Sequence, residues 1–339
     1  MVKNSLITEE MRKAIGTWHL LQLPPETVGK WAIGRYLDAL EDENPLWVNE
    51  EYARKTYWAG IIAPPTFIEV FNPIYLNSRA GYKYAIELPF KLPLKYSSLA
   101  YEEYEFLLPL RPGDIIVGKG VLGDIYEENS EKGISIFTRI DKEYHNQRGE
   151  LVARTKSTAI AVDKDSQAST GLAQSDKATP QSAIMSSVPT IIKQVCFEDV
   201  EVGTELPPLI KEISIYRVAK WAGATGDLSL DHIDFEFAAR ETGQHILKAH
   251  EHLLGAYMAL IVTNWVGGWG VFKKHHAQYK DIVWMEDTLT IKGKVTRKYT
   301  EGSEHLVNCE TLALNQHGKE VALGKSLVTL PTRSEVPAL

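Results

Sequence analysis

The sequence predicts an α+β fold built twice over. Between residues 82 and 162, short runs rich in β-branched and aromatic residues follow one helical block instead of alternating with helices, which points to antiparallel sheet and away from a doubly wound α/β architecture. The same order of events returns in the second half of the chain. The turn punctuation returns with it: Arg111-Pro112-Gly113-Asp114 is answered by Trp284-Met285-Glu286-Asp287, and Asn146-Gln147-Arg148-Gly149-Glu150-Leu151-Val152-Ala153 by Asn315-Gln316-His317-Gly318-Lys319-Glu320-Val321-Ala322. Two matches in the same order, at nearly the same offset, argue for duplication.

Taken in order, Val28 to Leu40 places Ile33, Leu37 and Leu40 at helical spacing, and Glu41-Asp42-Glu43-Asn44-Pro45 breaks it. A second helix starts at Glu50 to Arg54. After the interruption from Gly60 to Pro65, the apolar run Thr66 to Phe71 predicts a buried central helix that begins near Pro64-Pro65. Strands are expected at Tyr101 to Leu108, Asp114 to Ile125, Ile134 to Tyr144 and Leu151 to Val162. Residues 164–190, rich in Ser, Ala, Gln, Asp and Thr, read as a linker, although Ile184, Met185 and Val188 could pack as part of an ordered loop. The boundaries that follow are a first domain at 1–163, the linker at 164–190 and a second domain at 191–339. In the second domain, helical spacing at Ile215, Val218 and Ala222 leads to an acidic loop at Asp227 and then to a long apolar segment, Phe235 to Trp265. Strands are expected at Ala277 to Trp284, Thr288 to Lys298, Glu304 to Leu314 and Glu320 to Leu330.

A net charge of -7 over 339 residues argues against nucleic acid or an anionic membrane as the main partner. Cys196 and Cys309 are too few for a disulfide scaffold and have no metal-ligand spacing, so two free thiols and a cytoplasmic protein are expected. The N-terminus lacks a signal-peptide core. Ile246 to Trp269 comes nearest to a spanning segment, but it carries Lys248, His250, Glu251 and His252 at its start, as a buried helix of a globular core would.

The chemistry is expected between Tyr216 and Trp265. Asp227 and His232 stand five residues apart between two helical blocks, where a turn can bring carboxylate and imidazole to one pocket to hold and activate a water. Taken alone, the pair reads at least as simply as an Asp helix cap and a solvated His. His250 and His252 point in different directions on a helix and do not readily share an ion, so no metal is expected. His275-His276 is expected at the surface. Trp221, Tyr257, Trp265, Trp269 and Trp284 are expected in the core or along a tunnel wall.

The context of the pair is more specific. Thr225-Gly226-Asp227-Leu228-Ser229-Leu230-Asp231-His232-Ile233-Asp234, then Ala238-Ala239-Arg240 and Lys248-Ala249-His250, resembles the signature of the MaoC-like family of (R)-specific enoyl-CoA hydratases and acyl dehydratases. Thr263 to Gly268 and Val283 to Leu289 are similar to it as well. The first half resembles a degenerate partner through Tyr36 to Leu40, Glu41 to Leu46 and Ile61 to Pro65, so the resemblance spans nearly the whole chain apart from the linker and termini.

The resemblance implies a double hotdog, in which two antiparallel sheets each wrap a long central helix. It also implies that Asp227 and His232 activate water for syn addition to a trans-2-enoyl thioester, or run the reverse dehydration. A backbone N–H at the start of the central helix would bind the thioester oxygen, with Gly226 and Ser229 supporting the loop. The partner is an acyl-CoA or acyl carrier protein thioester, with no cofactor beyond that carrier, and monomer and homodimer are both compatible. In the first half Trp47 stands where the His would be, so that half is expected to be a scaffold.

The second half departs from the signature too. Ser229-Leu230-Asp231 replaces Asn-Pro-Ile/Leu, and Glu251-His252 replaces Gly-Met. Glu251 therefore either points away from the oxyanion or is itself catalytic, with His250 beside it as a further candidate. Two alternatives follow: a thioesterase using Glu251, and an inactive acyl-CoA-binding scaffold.

Overall fold

The computed structural model describes residues 5–19, 25–72, 88–94, 96–130, 133–162, 193–242 and 245–337. The expected linker lies outside the described residues. Ten strands form one sheet: β1 (Glu26–Thr27), β2 (Tyr96–Phe106), β3 (Ile115–Ser130), β4 (Gly133–His145), β5 (Leu151–Val162), β6 (Glu205–Glu212), β7 (Val271–Tyr279), β8 (Thr288–Glu301), β9 (Glu304–Leu314) and β10 (Glu320–Thr329). Their order is β1-β3-β4-β5-β2-β7-β10-β9-β8-β6. Exchanging each strand of the first half for its counterpart in the second (β1 for β6, β2 for β7, β3 for β8 and so on) reverses this order onto itself. The sheet thus has an internal two-fold relation, centred on the antiparallel β2–β7 pair, where Glu103 opposes His276.

The punctuation seen in the sequence is what makes the halves alike. The Asn146 N–H donates to the Glu150 carbonyl at 3.0 Å and Gly149 turns back at φ 76°; Asn315 donates to Lys319 at 3.0 Å and Gly318 turns at φ 75°. Left-handed backbone of this kind is where glycine costs nothing. Asp114 accepts from the Arg111 N–H at 2.8 Å and from Gln147 at 3.3 Å, as Asp287 accepts from Trp284 at 2.9 Å and from Gln316 at 2.7 Å.

Among the described residues the α-helices are α1 (Glu9–Ala14), α2 (Lys30–Leu40), α3 (Glu50–Arg54), α4 (Ile215–Thr225), α5 (Leu230–Ile233), α6 (Phe235–Thr242) and α7 (Glu251–Val266). Helix α7 is apolar on all sides after His252, as a helix enclosed by sheet must be. Leu253, Tyr257, Met258 and Val262 are fully buried, each contributing roughly 1.5–3 kcal/mol of burial. The helix packs tightly on the sheet at Gly255, where a Cβ would stand 2.5 Å from the Tyr279 hydroxyl. Helices α2 and α4 pair across the two halves through Tyr36 against Trp221, with ring centroids 5.4 Å apart, and through Arg217 to Glu41 at 2.8 Å.

Three expectations change. The segment from Phe235 to Trp265 is two helices, α6 and α7, because polar residues up to His250 interrupt it. The central helix of the first half is a 3-10 helix, Pro65–Phe71, closed by Asn72 donating to the Glu69 carbonyl. Strand β7 runs from Val271 to Tyr279, so Asp281 to Trp284 lies in the following turn. Among the described residues, no helix is long and apolar enough to cross a membrane.

Candidate active site

Helix α4 ends where the sequence supplies Gly226, whose φ of 83° lets its N–H close on the Ala222 carbonyl at 2.8 Å. The chain then turns at once into Asp227. Its Oδ1 accepts from the Ser229 hydroxyl at 2.7 Å and the Ser229 N–H at 3.3 Å, so Ser229 braces the carboxylate. His232 sits on α5, and its Nδ1 meets the Lys248 carbonyl at 3.0 Å. A carbonyl only accepts, so Nδ1 is the donor in this bond. His250, fully buried, directs Nε2 at the Asp227 carbonyl at 3.1 Å and stacks on His232 with centroids 3.9 Å apart.

The structure thus gathers Asp227, His232 and His250 at the N-terminus of α7, one ligand-type atom of each lying within 4.8 Å of the others. His250 is more central than its sequence context suggested. Burial, and then the neighbouring His232, push it down to about 3, so it is neutral at ordinary pH. Burial raises the Asp227 carboxyl, but the facing imidazoles, His250 foremost, and the Ser229 hydroxyl outweigh it and hold the group below its ordinary value. The same three residues could be considered for a metal. The two imidazole rings lie stacked, 30° apart in plane.

Glu251 begins α7 and turns its side chain away from Asp227. Its Oε1 accepts from Ser98 on β2 at 2.6 Å and from Lys248 at 3.3 Å, while Lys248 also pairs with Asp231 at 2.7 Å. Burial raises the Glu251 carboxyl, and Lys248, His232 and Ser98 together bring it below the usual range. Asp231, raised by burial but lowered more by Lys248, sits at about 2. A carboxylate held this way is a weak base. Lys248 could have been found three residues ahead of Glu251. Ser98 has no local signal, because only sheet pairing brings β2 there.

A second buried group lies on another side of the α7 N-terminus. His252 pairs with Glu102 and, at 3.6 Å, with Glu69; Glu102 also accepts from Tyr104 at 2.7 Å and from Tyr279. One ligand-type atom each of Glu69, Glu102 and His252 lies within 4.8 Å of the others. Burial disfavours the His252 cation, but the two carboxylates overcome this and raise it to about 9. His275, expected at the surface, is buried, its Nδ1 2.9 Å from the Ser326 hydroxyl, because β7 is central in the sheet.

In the first half the equivalent of the Asp–His pair is closed. The Trp47 indole N–H donates to Asp42 at 2.8 Å, where His232 would stand, and the Asn44 N–H donates to the Asp42 carboxylate at 3.0 Å as the Ser229 N–H does to Asp227. The helix start that corresponds to Glu251 is Pro65, which has no N–H.

A family model described as FAS1-like, dehydratase domain region, matches residues 14–155. A UPF0336 protein of Thermobifida fusca is 31% identical over 152 residues, which is 44% of this chain and 92% of that protein. A 3-hydroxybutyryl-CoA dehydratase of Methylorubrum extorquens is 29% identical over 150 residues, 44% of this chain and 92% of that protein. A solved MaoC-like dehydratase superposes with a TM-score of 0.70 at 18% identity, covering 94% of this chain and 98% of its own. The chain belongs to the family of the UPF0336 proteins, and its fold is that of MaoC-like dehydratases. A Mycobacterium tuberculosis protein described as a double hotdog superposes with a TM-score of 0.62 at 12% identity, covering 91% of this chain and 93% of its own. The fold is that double hotdog, and the match to a dehydratase-region model and the likeness to a dehydratase support a hydratase or dehydratase activity.

Proposed function

We propose that this MaoC-like protein hydrates a 2-enoyl-CoA thioester, or dehydrates the 3-hydroxyacyl-CoA, with Asp227 and His232 as the catalytic pair. The observation that carries this reading is their convergence at the N-terminus of α7, with the His232 Nδ1–H held by the Lys248 carbonyl. Groups within about 5 Å of each other can share one water through two hydrogen bonds of roughly 2.8 Å. The pair takes a proton from that water as it attacks the β-carbon and returns one to the α-carbon. The first-turn N–H groups of α7 lie outside the intrahelical ladder and favour charge on the thioester oxygen. Glu251 does not oppose that charge, because Lys248 and Ser98 hold its carboxylate. The same contacts argue against Glu251 as a thioesterase base. The first half, residues 1–163, is read as non-catalytic, with Trp47 and Pro65 in place of base and donor.

A panel of crotonyl-CoA and longer or branched enoyl-CoAs, followed for loss of enone absorbance and for thiol release, tests the proposal. Loss of absorbance without thiol release is the expected result. Thiol release that depends on Glu251 and survives His232→Ala would overturn it, as would binding without either reaction.

A further inference from the structure

The first half retains a cavity where its own active site would be. It measures about 240 Å³ and includes Trp47, Pro64, Pro65, Ile68, Val266 and Phe272 in its wall. By the internal two-fold relation, Trp47 and Pro65 correspond to His232 and Glu251, and Phe272 at the start of β7 corresponds to the start of β2, where Ser98 lies. None of Asp227, His232, His250, Glu251 or Ser98 lines it. Val266 is at the opposite end of α7 from Glu251, about 22 Å away along the helix.

Every group that would do chemistry there has been replaced or occupied. The Trp47 N–H is spent on Asp42, Pro65 has no N–H, and the Thr263 hydroxyl is bonded to the Leu260 carbonyl at 3.0 Å. The rest of the wall is mainly aliphatic and aromatic. The cavity opens between apolar side chains that water already touches: Tyr57 is 59% exposed, Leu107 42% and Leu108 41%. Beside Trp58, which also lines the cavity, the exposed Arg111 donates to the Trp58 carbonyl at 2.8 Å. An apolar chamber with an apolar mouth and a guanidinium at the rim fits one chemical class, an aliphatic chain carrying an anionic head.

We infer that the former active site of the first half is a non-catalytic binding site for such an amphiphile, either a free fatty acid or a fatty acyl-CoA, distinct from the reacting site at Asp227. The substitutions that removed catalysis left the apolar volume intact. Binding there needs no turnover at the other end of α7.

Calorimetric titration of the full chain with dodecanoate, dodecanoyl-CoA and dodecanol tests this. Dodecanoate or dodecanoyl-CoA is expected to bind; Leu108→Asp, at an exposed position, should weaken binding at least about tenfold by placing charge in the mouth, and Arg111→Gln about fivefold. The tighter of these two ligands identifies the source of the chain. His232→Ala should leave the affinity unchanged. Circular dichroism of each variant checks the fold. The proposal falls if neither amphiphile binds, if Leu108→Asp has no effect, or if His232→Ala is the variant that abolishes binding, which would put the chain in the reacting site. Dodecanol binding as tightly as dodecanoate, with Arg111→Gln silent, would overturn the anionic head.

Discussion

The Nδ1 atom of His232 stands 3.0 Å from the carbonyl oxygen of Lys248, the residue whose side chain holds both Asp231 and Glu251. One residue therefore holds the Nδ1–H of the proposed base with its backbone and neutralises the site's extra carboxylates with its ammonium. Replacing the base or its carboxylate partner tests the first half of that statement. Asp227→Asn and His232→Ala should each lower enoyl-CoA hydration by about 10²–10⁴-fold, with an unchanged circular dichroism spectrum. Retention of more than a tenth of the activity in either variant would remove that residue from the mechanism.

The side chain of Lys248 tests the second half. Lys248→Met leaves Asp231 and Glu251 facing each other without a cation, and should cost on the order of 3 kcal/mol in urea unfolding. Glu251→Gly should cost far less, because Lys248 still pairs with Asp231 at 2.7 Å. Glu251→Gly should also keep hydratase activity within a few-fold. If instead it abolishes turnover while the protein stays folded, Glu251 is catalytic and the present assignment is wrong.

Stability should peak near neutral pH, for two reasons of opposite sign. His252, raised to about 9 by Glu102 and Glu69 against its burial, contributes stability that is fully present below about 6.5 and is lost as pH rises through 9. His250, pushed down to about 3, stays neutral in the folded chain while the unfolded chain takes up a proton below about 6.5, so stability falls as pH drops from there. Melting temperature measured from pH 5 to 9.5 should trace both limbs, with a fall of about 5 °C on the alkaline side. His252→Gln should flatten the alkaline limb whatever it does to the overall melting point. An unchanged alkaline slope would mean that His252 is not the group responsible.

Much of this arrangement was legible in the sequence because duplication repeats its local signals. Glu304–Leu314 is the expected strand to the residue, and the Asn-x-x-Gly turns lie where the matched punctuation put them. Asp227 and His232 were readable because their spacing is local. What was not readable depends on sheet pairing: Ser98 reaches Glu251 across 153 residues, and Glu102 reaches Tyr279 across 177. The same cause misplaced His275, whose alternation on β7 says only which face it takes, not that β2 covers that strand. His250 was underestimated because its partner is the backbone carbonyl of Asp227, and a backbone acceptor leaves no mark in composition or motif.

Restoring the His in the first half should not restore a second active site. Trp47→His would return an imidazole to the turn that holds Asp42, whose carboxyl burial raises to about 6 despite the bonds from Asn44 and Trp47. The helix start beside it would still be Pro65, with no N–H for a thioester oxygen, and the wall would still lack polar support. The substitution also removes a side chain that is 4% exposed and bonded through its indole, at a cost of about 3 kcal/mol. Asp227→Asn/Trp47→His should therefore show no more hydratase activity than Asp227→Asn alone, and should unfold at lower urea than the parent. Measurable recovery of turnover in the double variant would mean that the oxyanion donor does not come from the helix start, in this half or in the other.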